Sequence, residues 1–459
     1  MPTQSSGSTH TDNTPHKDTD NTSRKKFLAK AGATAAAVAG LSAAAPAVPV
    51  AAQVGRFLPR SPVTLRFSYW MPATELKVFR ALVSARFEKL YPNIQIQYVN
   101  NQGPNWGQQK LETMIAGSDA PDVMQLNTGQ FEAFASKGTL LALDSYFKRD
   151  HVDLGQYLTG TRAGISFGGK IYGTPRFLSS HAVLYNKNTF KKAGVPVPTS
   201  SWTWSDFLHA AQKTTNAGHH QWGFGMVNNL FNWIAFVGGN GGQVISADHK
   251  KCLLDDPRTV EALQFFFDLQ SKYKVVPPPG SLPPAQIFAG DQWIAGTVAM
   301  CIVGPWERPA IAAAKVPFQW GVVTTPVSPR THRTATAVYT DQWSVSAQTA
   351  HPEEAWQFAK WLGEIDFHTR WLNAFGASSL DAIAAVDKAP RFVNFDNHSP
   401  AAWVEELKYG SPPPINYSNG ERAQAVWDQE LQLVQLGQET AAQAVAKMVP
   451  KIDTILQAP

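Results

Sequence analysis

Behind a lead containing Pro59 and Pro62, apolar and polar side chains alternate from Thr64 to Tyr69, which predicts a strand ended by Trp70-Met71-Pro72. From Thr74 the period changes. Leu76, Phe79, Leu82, Val83, Phe87 and Leu90 recur at helical spacing until Tyr91-Pro92-Asn93 stops them. Ile94, Ile96 and Tyr98 then alternate with Gln95 and Gln97 as a second strand, a helix is expected around Trp106 to Ala116, and Asp122 to Leu126 reads as a short buried strand. Strand, helix, strand, helix, strand in this order predicts a mainly parallel sheet covered by helices. Ligands of such sheets bind beyond the carboxyl ends of the strands, which makes Trp70 and the loop Asn127-Thr128-Gly129-Gln130 candidates for a binding site.

Further along, Gly169 to Pro175 predicts a turn leading into a strand, and Ala182 to Tyr185 an apolar strand closed by Asn186-Lys187-Asn188. Thr203-Trp204-Ser205-Asp206 carries the [ST]-x-x-[DE] pattern of a helix start, with the helix running to about Thr215. Gly238 to Gly242 is a loop, Pro257 to Tyr273 a helix and Pro277 to Pro284 a proline-rich connector. Val298 to Val303 predicts a strand ending in Gly304-Pro305-Trp306, Trp343 to Ser346 another, and Pro352 to Leu362 a helix. No internal repeat is visible.

At 459 residues the chain exceeds what one core accommodates, so two lobes are expected. With 44% hydrophobic and 16% charged residues it has the composition of a globular protein, not a disordered one. The net charge of +5 is partly carried by residues 1–52, where Lys17, Arg24, Lys25, Lys26 and Lys30 outnumber Asp12, Asp18 and Asp20. No dense basic run follows, so nothing points to nucleic acid. Within 1–52 a polar head, the basic Arg24-Lys25-Lys26, the apolar run Ala31 to Leu41 and small residues at Ala45-Pro46-Ala47 and Val50-Ala51-Ala52 read as an export signal. It resembles a twin-arginine signal in which Lys25 replaces the second arginine, so the general secretory route stays open. Cys252 and Cys301 are the only cysteines. They could pair in an oxidising compartment, or serve as small buried hydrophobes.

Signals for catalysis are weak. Gly164-Ile165-Ser166-Phe167-Gly168 fits G-x-S-x-G, but the strand-like Gly169-Lys170-Ile171-Tyr172 stands where a nucleophile elbow needs a helix. His219-His220 lacks partners at metal-ligand spacing, and Gly238 to Gly242 lacks the Lys-Ser/Thr of a phosphate loop. No enzyme activity, cofactor or metal is expected. The 15 Trp residues open another use, because flat apolar rings cover sugar faces. Amides, which both donate and accept, supply the convergent polar groups that a sugar needs. The polar candidates are Asn127, Gln130, Arg176, Asn228, Asn229, Asn232 and Glu307, with Trp233 near the Asn residues.

Taken in order, Ala116-Gly117-Ser118 with Pro121-Asp122-Val123, Tyr172-Gly173-Thr174-Pro175, Leu184-Tyr185-Asn186-Lys187, Thr203-Trp204-Ser205-Asp206-Phe207, Gly304-Pro305-Trp306 and His351-Pro352-Glu353-Glu354-Ala355 resemble the extracellular solute-binding family that serves sugar ABC importers, typified by maltose-type binding proteins. The resemblance implies an α/β fold of the two-lobed periplasmic binding protein type II class, with hinge-connected lobes and an interlobe cleft. Residues 60–177 plus 318–365 would form one lobe, and 178–317 plus 366–459 the other. It places Trp70, Trp306 and Trp343, with Asp341 and Gln342 beside the last, at the cleft, and Ser378 and Ser379 in a cleft loop. The chain would be a monomeric, exported receptor, periplasmic or at the cell surface, that meets the membrane only through the permease subunits. Its guest would be a mono- or oligosaccharide. Another polar solute, such as a polyol or a glycerophosphodiester met by Arg176, stays open, as does a secreted carbohydrate-active enzyme.

Overall fold

The computed structural model describes residues 61–103, 107–227, 230–286, 288–375, 401–411 and 419–458. The expected export signal, residues 1–52, lies outside them, and Pro59–Pro459 is one compact unit. In chain order its strands are β1 (Val63–Tyr69), β2 (Ile94–Asn100), β3 (Val123–Leu126), β4 (Ser166–Phe167), β5 (Lys170–Ile171), β6 (Gly173–Ser180), β7 (Ala182–Asn186), β8 (Trp222–Gly225), β9 (Val298–Val303), β10 (Trp320–Val323), β11 (Thr336–Val345) and β12 (Gly410–Ser411).

The expected parallel unit forms. β1 pairs in parallel with β2 on one side and β3 on the other. The connecting helix starts at Ala73 behind Pro72 and passes at Val83–Phe87 through a π turn before ending at Leu90. Its Phe79, Val83 and Phe87 are fully buried against Phe67, Phe358 and their neighbours. β11 then joins β3 antiparallel through Gln342–Val345, while β6 and β12 flank β11. A second sheet has the order β10-β7-β9-β8, in which β8 and β9 are parallel and the other pairs antiparallel.

Each sheet has its own aromatic-rich core. Phe67, Phe79, Trp343, Trp356 and Phe358 fill the first. Phe207, Trp233, Phe266 and Trp427 belong to the larger core on the second. Helices hold these faces in place with local devices legible in the sequence. Thr203 and Asp206 form the reciprocal capping box at the start of Trp204–Thr214, and Pro257 opens the helix Pro257–Ser271 at a position where a missing N–H costs nothing. The C-terminal helices Gly420–Gln435 and Ala441–Leu456 pack on the second core.

The chain passes between the sheets twice within β6–β11. β6 lies in the first sheet and β7 in the second, with His181 alone between them; after β10 the segment 324–335 returns the chain to β11. These crossings differ from the expected boundaries. Trp320–Val323 pairs with β7, so the return comes after Val323 and not at 318. The helix Ile365–Phe375 inserts Phe367 and Trp371 into the first core, so that lobe continues past 365. β11 also begins at Thr336, well before the expected Trp343, because its polar Thr336 and Thr340 are buried and Asp341 is half-buried, rather than solvated. Cys252 and Cys301 are both buried and unpaired, in different cores, and burial pushes the Cys252 thiol up to about 12.

The return segment is tied down by a buried acid. Glu406, at the end of helix Ala401–Glu406, is fully buried and accepts from the Thr325 main-chain N–H and from the Thr325 hydroxyl at 2.9 Å. Burial raises its pKa to about 8, outweighing the hydrogen bonds from Thr325 and Thr334 that favour the anion. The folded state therefore holds this proton more tightly than the unfolded chain. Its contribution to stability is full below about pH 4.5 and is lost as pH rises through about 8. Glu406→Gln, a neutral isostere, should melt less steeply with pH than the wild type between pH 5 and 8, as thermal unfolding at a series of pH values would read.

Candidate ligand-binding site

The β6–β11 pair is where the candidate residues gather. Asp341 stands opposite Phe177, but Gln342 stands opposite Pro175, so the register slips and Arg176 is the extra residue of a bulge. A bulge redirects the side chain it carries. Here it brings the Arg176 guanidinium to Asp341 at 2.8 Å and to Glu75, in the first turn of the helix after Trp70, at 3.2 Å. Arg176 is 8% exposed and ringed by aromatics, with Trp343 at 5.3 Å, Trp371 at 5.4 Å, Trp70 at 5.8 Å and Phe177 at 5.9 Å from its charged carbon to each ring centre. Burial holds the Asp341 carboxyl up at about 6 although Arg176 pulls it down, and burial likewise raises Glu75 against the same cation.

From Arg176 a file of rings continues toward the second sheet. Phe177 lies 6.5 Å from Trp306, Trp306 meets His181 edge-on at 5.0 Å, and His181 meets Phe231 at 6.0 Å and Tyr339 at 5.4 Å. Trp70, Phe177, Phe231 and Tyr339 are half-buried and Trp306 is 38% exposed, so the file keeps some ring surface open to solvent. Trp306 is set by its neighbours. Its ring folds back over Gly304, where a Cβ would come within 1.9 Å of it, and its indole N–H donates to Glu307. The Glu307 carboxyl sits against Gly290, and burial raises its pKa to about 7, with the Asp291 charge adding to the rise. Glu307 thus acts through the ring it positions.

Several expected site residues have other occupations. Asn127 and Gln130 form the capping box of helix Thr128–Ser136: Asn127 Oδ1 accepts from the Gln130 N–H at 2.9 Å and Gln130 Oε1 from the Asn127 N–H at 3.3 Å. The N-x-x-Q spacing is the helix-start signal that the sequence carried there. Trp233 is corrected from site to core, because it is fully buried on helix Leu230–Gly239 with its ring perpendicular to Trp427 at 6.1 Å. Trp343 is likewise fully buried, stacked on Trp371 at 6.1 Å behind Arg176, so it backs the site instead of facing a guest. Asn232 is 4% exposed on the same helix as Trp233. Asn228, Asn229, Ser378 and Ser379 lie outside the described residues.

The sequence reading missed Glu75, Phe177, His181, Phe231 and Tyr339. Glu75 follows the strand-ending Trp70-Met71-Pro72, the place the carboxyl-end rule points to, and Phe177 adjoins Arg176; these positions carried a signal. His181, Phe231 and Tyr339 come together only through the crossing of the two sheets. The G-x-S-x-G match is no elbow: Gly164 ends a helix, and Ser166 begins the β4–β5 hairpin with its hydroxyl donating to the Arg162 carbonyl at 2.9 Å. No group of three or more potential metal ligands occurs among the described residues.

Removing the cation should be costly, since two half-buried carboxylates would be left without their partner. Arg176→Met should lose about 3–5 kcal/mol of stability at pH 8, and less at pH 5, below the value of about 6 to which burial holds Asp341. Chemical denaturation at the two pH values measures this.

A family profile for bacterial extracellular solute-binding proteins matches residues 72–364. The ABC substrate-binding protein Lmo0181 of Listeria monocytogenes, solved with cycloalternan, superposes with a TM-score of 0.76 at 25% identity, covering 87% of this chain and 100% of its own. A solute-binding protein of Thermotoga lettingae bound to α-D-tagatose gives 0.75 at 23% identity, covering 86% and 99%. A maltotriose-binding protein of Pyrococcus abyssi is 23% identical over 302 residues, 64% of this chain and 60% of that protein. The match spans elements of both sheets, and the chain belongs to the bacterial extracellular solute-binding protein family, with the two-lobed periplasmic binding protein fold seen in maltose-binding proteins.

Proposed function

We propose that this chain is the exported receptor of an ABC importer and captures a neutral mono- or oligosaccharide between its lobes for delivery to a permease. The observation that carries the reading is the file of partly open rings from Trp70 through Phe177 to Trp306, with the Glu75 and Asp341 carboxylates at one end. Rings stack on the apolar faces of a sugar, and carboxylates accept from its hydroxyls. The ligands named for the matched relatives, cycloalternan, tagatose and maltotriose, are of this chemical class. Anionic cargo is the weaker alternative, because Arg176, the cation that would meet it, is already engaged by two carboxylates. Its family is extracellular, and no helix among the described residues is long and apolar enough to cross a membrane. Hinge closure over the guest requires neither cofactor nor covalent step.

A thermal-shift screen of the mature protein against sugars, polyols and phosphorylated metabolites tests this. A cognate sugar at a hundredfold excess over Kd should raise the melting temperature by roughly 3 °C. Trp306→Ala should weaken that sugar about tenfold or more while leaving the unliganded melt nearly unchanged, since the ring is an exposed one. Stabilisation by phosphorylated metabolites alone would overturn the sugar reading.

A further inference from the structure

His181 is the single residue between β6 and β7, and it is 3% exposed. Its main chain is pinned on both sides by Thr336. The His181 N–H donates to Thr336 Oγ1 at 2.9 Å, and the Thr336 hydroxyl donates to the His181 carbonyl at 3.0 Å. Its ring is fixed as well. One ring nitrogen donates to the Ala337 carbonyl, which leaves Nδ1 as a bare acceptor, buried and without a hydrogen-bond partner. The hydroxyl of Tyr339, whose ring stands edge-on to His181 at 5.4 Å, is also buried and without a partner.

Two such atoms on adjoining rings are costly to keep if packing were their only task, because phenylalanine in place of Tyr339 would fill the same space with no polar atom to satisfy. Their chemistry is complementary to one small group. An alcohol O–H can donate to the imidazole nitrogen while its oxygen accepts from the phenol. The neighbouring ring nearest to solvent is Trp306. Trp306, which covers the His181 ring edge-on at 5.0 Å, is partly exposed and stands in the short Gly304-Pro305-Trp306 turn after β9. Phe231 stacks on the His181 ring at 6.0 Å and meets Tyr339 edge-on at 4.9 Å, so an apolar ring adjoins both.

We infer that His181 Nδ1 and Tyr339 Oη form a hydroxyl-recognising pair beneath Trp306, which binds one alcohol group of the solute and makes a free hydroxyl at that position a condition of tight binding. The inference rests on the sugar-binding reading above and adds two residues and a selection rule to it. A single alcohol group of the guest would satisfy both orphaned atoms.

Tyr339→Phe tests the pair, because it removes the hydroxyl and keeps the ring. Its unliganded melting temperature should stay level or rise, and calorimetric affinity for whichever of maltotriose and D-tagatose the wild type binds should fall about tenfold. Tyr339→Phe melting several degrees lower without ligand would make the hydroxyl a structural group and overturn the inference. Unchanged affinity in Tyr339→Phe, beside a loss in Trp306→Ala, would overturn it while leaving the sugar reading intact. A wild type that binds neither these sugars nor any other in the screen would remove the sugar reading, and the pair with it.

Discussion

Everything at the junction of the two sheets hangs on one antiparallel ladder, β6 against β11, and on the slip of register at Arg176. A regular ladder would send neighbouring side chains to opposite faces at every step. The extra residue breaks that alternation once, and the guanidinium lands between Glu75 and Asp341. The same ladder carries Phe177 and Tyr339, and it ends where His181 takes the chain across to β7. Position, orientation and crossing are consequences of a single pairing.

Charge follows from that geometry. A lone buried cation would be intolerable, and two neighbouring buried carboxylates equally so. Together they make a trio whose one positive group is fully occupied and whose carboxylates keep raised pKa values from burial. The aromatic rings divide into two kinds around it. Trp343 and Trp371 stack behind the cation as part of the first core, whereas Trp70 and Phe177 remain partly open.

The parallel β1–β3 unit, the capping box at Thr203 and the helices at 257 and 352 were legible because their signals are local: a period of two or of 3.6, a cap, a proline. The start of β11 was not, since Thr336, Thr340 and Asp341 look like a solvated loop until β6 and β3 are placed beside them. Trp70, Arg176 and Trp306 were legible as candidates because each follows or lies on an identifiable strand end or turn, and Asp341 only through the family resemblance that set it beside Trp343. Trp233 and Trp343 misled for a shared reason: a tryptophan beside polar residues has the same sequence signature whether its ring faces a guest or a core. His181 carried no local signal at all, and its company is assembled from segments that meet only in three dimensions.

The bare α-carbon of Gly304 lets the indole of Trp306 lie flat over the turn that bears it, while Glu307 grips the indole N–H from the other end. Such a side chain has surrendered its rotational freedom during folding, before any guest arrives. Immobilising a large side chain on association costs roughly 0.5–1.5 kcal/mol, and here that ordering is complete in advance. A plate set in this way before the encounter spares a solute-binding protein that cost each time a guest arrives.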